Sequence, residues 1–151
     1  MTVPWTTTAG VLVDRVEPGM AGLWSLIRTA QRGVLRCATD ADLDRDLAFT
    51  FAAMDLGEAL EDLEWVHPDL AADAVTVDLG ELPGDDVGDA RTALGLLLTG
   101  GLDAAVRMLR EQPETLDTAD VLCLARTAHK VAATWSEACL GWEASTRCPS
   151  C

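Results

Sequence analysis

The sequence predicts an all-α, single-domain bundle of four to five helices, with a long C-terminal helix and an irregular N-terminal arm. Three observations carry this prediction. First, Val121, Ala128, Trp135 and Trp142 recur every seventh residue between Thr115 and Ser145. Leu124/Ala125, Val131/Ala132 and Ala138/Cys139 fill the intervening places, so one apolar stripe runs along a helix of about 40 Å. Second, two earlier stretches, from Pro18 to Cys37 and from Thr39 to Val66, repeat apolar residues at the 3.6-residue period. Third, the short run Val11-Leu12-Val13 has no equally clear strand to pair with.

Size and composition agree with one folded unit. A chain of 151 residues is one ordinary domain and buries roughly 68 to 70% of its unfolded surface. With 49% hydrophobic and 24% charged residues, it lies far from the composition of a disordered chain. No internal repeat or long linker divides it. The single Lys130 beside ten Arg, with abundant Ala, resembles the usage of a high-GC bacterial genome.

Taken in order, residues 1–17 read as the irregular arm, pinned to the body by Trp5. Pro18 suits a first helical turn, after which Met20, Leu23/Trp24, Ile27, Ala30 and Val34 follow at helical spacing. Another face of this helix carries Arg28, Arg32 and Arg36 at i, i+4 and i+8. Thr39 or Asp40 can cap the next helix. Leu43, Leu47, Phe51 and Met54 form one stripe on it, and Phe49, Ala53, Leu56, Leu60 and Leu63 a second. Two stripes predict two packed neighbours. Its opposite face carries Asp55, Glu58 and Asp62 with Glu61 and Glu64 alongside, candidate partners for the arginines.

His67-Pro68 ends this helix because the residue before proline is pushed from the helical region. Residues 68–86 form a loop-rich middle: a short turn, the alternating stretch Val75 to Glu81 and the turn Pro83-Gly84-Asp85-Asp86. Val87, Ala90, Leu94 and Leu97/Leu98 then predict a helix stopped at Gly100-Gly101, followed by a shorter one from Leu102 to Gln112. Thr115 and Asp117 are both possible caps for the long final helix. Residues 146–151 form a cysteine-containing tail.

Charge narrows the partners. There are 25 acidic against 11 basic residues, a net charge of -14, and this field repels polyanions. Neither nucleic acid nor a membrane surface is expected as a partner; a basic protein patch or a cationic small molecule suits the field better. The start Met-Thr-Val-Pro-Trp-Thr-Thr-Thr lacks the pattern of a secretory signal, and no apolar run approaches the roughly 18 residues of a membrane span, the longest candidate being Leu94 to Leu98. The expected location is the cytoplasm.

Motifs for chemistry are sparse. Cys148-Pro-Ser-Cys151 has the two-residue spacing of a redox pair or of two zinc ligands, with Cys139, Cys123 or His129 as further ligands. It lacks the strand-to-helix setting of a thioredoxin site, to which it is similar over these four residues alone. Glu64-Trp-Val-His67 has the Glu-x-x-His spacing of di-iron bundles but no second copy. Asp40, Asp42, Asp44 and Asp46 open like a calcium loop, yet Arg45 and Phe51 stand where that loop needs Gly and Glu. They read as a helix start. No Walker loop, Gly-x-Gly-x-x-Gly or Gly-x-Ser-x-Gly occurs, so no cofactor is expected. His129, one step off the stripe with Arg126 and Glu137 within two turns, is the one catalytic candidate.

Three functional expectations follow. The leading one is a non-catalytic interaction or regulatory module, with a protein partner or self-association as a homodimer through the Trp135/Trp142 end of the last helix. The second is a small-molecule-binding protein or cofactor-independent enzyme of bacterial metabolism. Its helix-lined pocket would use Trp24, Trp135, Trp142, His129 and the Arg28/Arg32/Arg36 row for a small hydrophobic or cationic ligand. The third is a thiol redox or zinc-binding protein using Cys148 and Cys151.

Overall fold

A computed structural model describes residues 3–39, 43–81, 87–111 and 113–146. Six helices follow in order: α1 (Trp5–Arg15), α2 (Met20–Thr39), α3 (Leu43–Val66), α4 (Leu70–Asp73), α5 (Val87–Glu111) and α6 (Thr118–Thr146). No strand occurs among the described residues, and the stretch from Val75 to Gly80 is a linker without regular secondary structure. The fold is all-α and single-domain.

Four helices form a closed ring in which α2 packs on α3, α3 on α6, α6 on α5, and α5 back on α2. Cross-contacts give the directions. Trp24 meets Glu64 and Gln31 meets Ala53, so α2 and α3 are antiparallel. His67 meets Asp120 and Phe49 meets Trp142, so α3 and α6 are too. Gly33 faces Leu94 while Gly101 faces Ile27, so α5 also runs against α2. Antiparallel neighbours with their apolar stripes turned inward bury a continuous core, in which Leu23, Ile27, Phe49, Leu56, Leu63, Leu94, Leu97 and Leu124 are at most 1% exposed.

Gly33 is a tight meeting point of α2 with α5. A Cβ there would lie 2.8 Å from Leu94 and 3.0 Å from Leu79, closer than carbon atoms approach. Glycine lets α5 and the linker both close on α2.

The arm is helical rather than irregular. Trp5, Ala9 and Leu12, at i, i+4 and i+7, are buried against α5. Three threonines and Gly10 lower its intrinsic helix propensity, and Pro4 supplies no side-chain cap. The cap comes from another helix: Trp5 N donates to Asp89 Oδ2 at 2.7 Å and Thr6 N to Asp89 Oδ1 at 3.0 Å. Tertiary contact thus stabilises a helix that local signals do not specify.

Gly100-Gly101 does not stop α5, which continues unbroken to Glu111. These glycines admit neighbours: Gly101 is buried against Ile27 and Leu23, and Gly100 lies under Val13. Close packing offsets the roughly 1 kcal/mol that each glycine costs a helix. Read as one helix, α5 is long and apolar enough by length and composition to cross a membrane, which the assumed break obscured. Its apolar positions pack on α1, α2 and α6, as those of a core helix do.

The first stripe of α3 also departs from the expected packing. Leu47, Phe51 and Met54 are 46%, 55% and 57% exposed, while Phe49, Ala53, Leu56, Leu60 and Leu63 face the core. At its start α6 has Asp117 N donating to Asp120 Oδ2 and Asp120 N donating to Asp117 Oδ1. This reciprocal box selects Asp117 over Thr115 as the cap. Asp40 and the Pro83–Asp86 turn lie outside the described residues.

Candidate functional site

The arginine row borders a cleft between α2 and α3 of about 420 Å³, lined mainly by Trp24, Arg28, Arg32, Leu60, Glu61 and Glu64. Trp24 and Leu60 are 6% exposed and form its floor. The Trp24 indole Nε1 donates to Glu64 Oε1 at 3.0 Å, which orients that carboxylate. Arg28 donates to Gln31 Oε1, and Gln31 Nε2 reaches across α3 to the Ala53 carbonyl at 3.4 Å. Gly57 leaves room for this crossing, since a Cβ there would lie 3.0 Å from Gln31 Nε2. Arg32 is exposed. Among the described residues, neither Arg28 nor Arg32 has a carboxylate within ion-pair reach. Arg36 is set apart, 3.7 Å from Asp78 on the linker.

Asp55, Glu58 and Asp62 of α3 instead meet α6. Lys130 Nζ lies 3.0 Å from Glu58 and 3.4 Å from Asp62, and Arg126 lies 3.3 Å from Asp62. Farther along this seam the carboxyl groups of Asp55 and Glu137 face each other. Burial, the hydrogen bond to Asp55 and the repulsion of its charge push Glu137 up to about 7. Its Oε2 is buried without a partner. Glu137 therefore holds a proton near neutrality.

The two histidines differ in setting. His129 is exposed on α6, outside any groove with the tryptophans. His67 Nε2 lies 2.7 Å from Asp120 Oδ1 and ties the end of α3 to the start of α6. Glu64 turns to α2 and His67 to α6, so their Glu-x-x-His spacing does not converge on one point. Trp142 is 3% exposed and meets Phe49 edge-on at 5.2 Å. Trp135 is partly buried, 6.0 Å from Trp142 and against Gly95. These two rings pack against the core, while Trp24 reaches the cleft. The structure thus brings Trp24, Arg28 and Arg32 together and separates them from His129, Trp135 and Trp142.

Burial pushes the Cys123 thiol up, which makes it a poor nucleophile. Among the described residues no three His, Cys, Asp or Glu side chains converge as a metal site. Cys148 and Cys151 lie outside the described residues.

Outside the bundle, α3 presents one continuous outer row: Leu47, Phe51, Met54, Glu58, Glu61 and Trp65 follow at steps of four and three, and Trp65 is 88% exposed. The row spans about 27 Å at 1.5 Å per residue. The antiparallel register brings Leu140 of α6, 60% exposed, level with Phe51. Sequence periodicity groups Leu47, Phe51 and Met54 in a stripe but assigns them to the interior and puts Glu58 on the opposite face, whereas all four are exposed along one row. No family profile, curated protein or solved structure matches this chain.

Proposed function

We propose that this protein is a non-catalytic interaction module whose outer α3 row receives a basic amphipathic helix of a protein partner. The observation that carries this reading is the exposure of Leu47, Phe51, Met54 and Leu140 on one side of the bundle. Helix-in-groove recognition reads such anchors at steps of three and four residues. The same row continues into Glu58 and Glu61, and the whole chain carries a net charge of -14, so a basic partner is favoured by charge. A second copy of the chain would set acidic rims against each other. Removing the exposed apolar area from water contributes a few kcal/mol at about 25 cal/mol per Å². After the entropy cost of association this supports a weak complex, with charge steering its formation.

Fluorescence anisotropy with a labelled Leu/Lys amphipathic peptide of about 18 residues tests the reading. The peptide should bind about tenfold or more tightly than a scrambled peptide of equal composition, a difference of about 1.4 kcal/mol. The double substitution Phe51→Ser/Met54→Ser should remove that preference while leaving the circular-dichroism melt unchanged. Equal binding of both peptides would reduce the interaction to bulk charge and overturn the reading. So would a dimer in light scattering that dissociates on the double substitution, because the row would then be occupied by a second copy.

A further inference from the structure

We propose that the cleft between α2 and α3 is a binding site for a free α-amino acid, with Arg28 and Arg32 holding its carboxylate and Glu61 and Glu64 its ammonium group. The central observation is charge left open. Two guanidinium groups on α2 and two carboxylates on α3 line one cavity of about 420 Å³, yet no ion pair closes across it among the described residues. Elsewhere on the same helix, Glu58 and Asp62 do pair with cations, whereas Glu61 and Glu64 pair with none among the described residues.

The groups are also held in place. Arg28 is steered by Gln31, itself tied to the Ala53 carbonyl, and Glu64 is oriented by the Trp24 indole. Such preorganisation lowers the cost of binding. The volume falls within the range of small-molecule sites, and the buried faces of Trp24 and Leu60 supply an apolar floor.

Electrostatics select the ligand class. A phosphate or other simple anion attracted to Arg28 and Arg32 meets Glu61 and Glu64 in the same space, within a field of net charge -14. A simple cation meets the two arginines. A small molecule with one charge of each sign, separated by a single carbon, answers both walls, and a guanidinium can grip a carboxylate through two parallel hydrogen bonds. The site is independent of the outer α3 row except for Glu61, which stands between them.

Ligand-observed NMR and isothermal titration calorimetry on the full chain test this site, with the twenty protein amino acids as probes. At least one should bind in the millimolar range or tighter, about -4 kcal/mol or better. Its N-acetyl derivative, without the ammonium charge, and its methyl ester, without the carboxylate, should each bind about tenfold more weakly. Arg28→Gln should abolish the preference for acid over ester, and the exposed Arg32→Gln should reduce it without disturbing the fold. Glu61→Gln should reduce the preference for free amine over N-acetyl, whereas Phe51→Ser/Met54→Ser should leave amino-acid binding unchanged. The proposal is overturned if none of the twenty binds, if the derivatives bind as well as the parent, or if inorganic phosphate displaces the amino acid at lower concentration. Wild-type affinity in both arginine variants would also overturn it.

Discussion

Asp89 at the α1–α5 corner and Glu137 at the α3–α6 seam are acids at helix junctions, and their neighbours move them in opposite directions. Burial raises both. At Asp89 the hydrogen bonds from the Thr6 side chain and from the backbones of Thr6 and Trp5 outweigh burial and hold the carboxyl below its ordinary value of 3.8. At Glu137 the facing group is the acid Asp55, which adds to the effect of burial. Whether an acid at a junction is held ionised or protonated therefore depends on whether donors or acceptors face it.

The signs of the two pH effects follow from linkage. Asp89, depressed in the fold, contributes stability above its ordinary value, and that contribution is lost as pH falls through the folded value. Glu137, raised from 4.5 to about 7, contributes stability that is fully present below 4.5 and is lost as pH rises through 7. Acid should weaken the first junction and alkali the second.

The largest effect is expected from breaking the α1–α5 corner. Trp5 is fully buried, and its indole Nε1 donates to the Glu81 carbonyl at 3.2 Å. Trp5→Ala should cost about 3–5 kcal/mol in urea unfolding. Next comes Asp89→Ala, at about 1–2 kcal/mol near neutral pH, by loss of a helix cap. In the Trp5→Ala background the same change should cost much less, because the indole and the Asp89 cap both hold α1 on α5 and the cap contributes little once α1 has lost its anchor. An additive result would disconnect Asp89 from the anchoring of α1.

Glu137→Gln should act in the other direction. A glutamine can donate to Asp55 at every pH, so the variant should raise Tm at pH 8 by about 2–4 °C, roughly 1 kcal/mol for a domain of this size. At pH 4.5 it should change little. A loss of stability at pH 8 would mean that the ionised pair is not repulsive there. The smallest effect belongs to Arg36→Ala. Arg36 and Asp78 lie 3.7 Å apart with side chains 46% and 62% exposed, and such a pair is worth under about 0.5 kcal/mol; a larger loss in urea unfolding would show a wider role for the linker.

Local signals carried much of the fold and part of the site. The heptad of α6, the stripe of α2, the end of α3 at His67-Pro68 and the Asp117-x-x-Asp120 box depend on neighbours a few residues apart in the chain. The arginine row was legible because i, i+4 and i+8 share a helix face. That Glu61 and Glu64 would face it was legible from the acidic side of α3; that they would leave a cleft instead of pairing with it was not, since this depends on the α2–α3 register and on Gly57 admitting Gln31. The pairing of Asp55 with Glu137 spans 82 residues and leaves no local pattern. The helical arm was missed because its cap, Asp89, lies 84 residues from Trp5.

By itself the sequence determined that the chain would form amphipathic helices, where most of them would begin and end, and that the whole would be strongly acidic. These are properties of periodicity, capping and composition. Only the tertiary structure decided that Phe49 and Leu56 face the core while Phe51 and Met54 face outward. The two rows of α3 are similarly apolar, and only the positions of α2 and α6 distinguish the inside from the outside. It likewise decided that Gly100-Gly101 would admit neighbours rather than end a helix, because a glycine's effect depends on what packs against it.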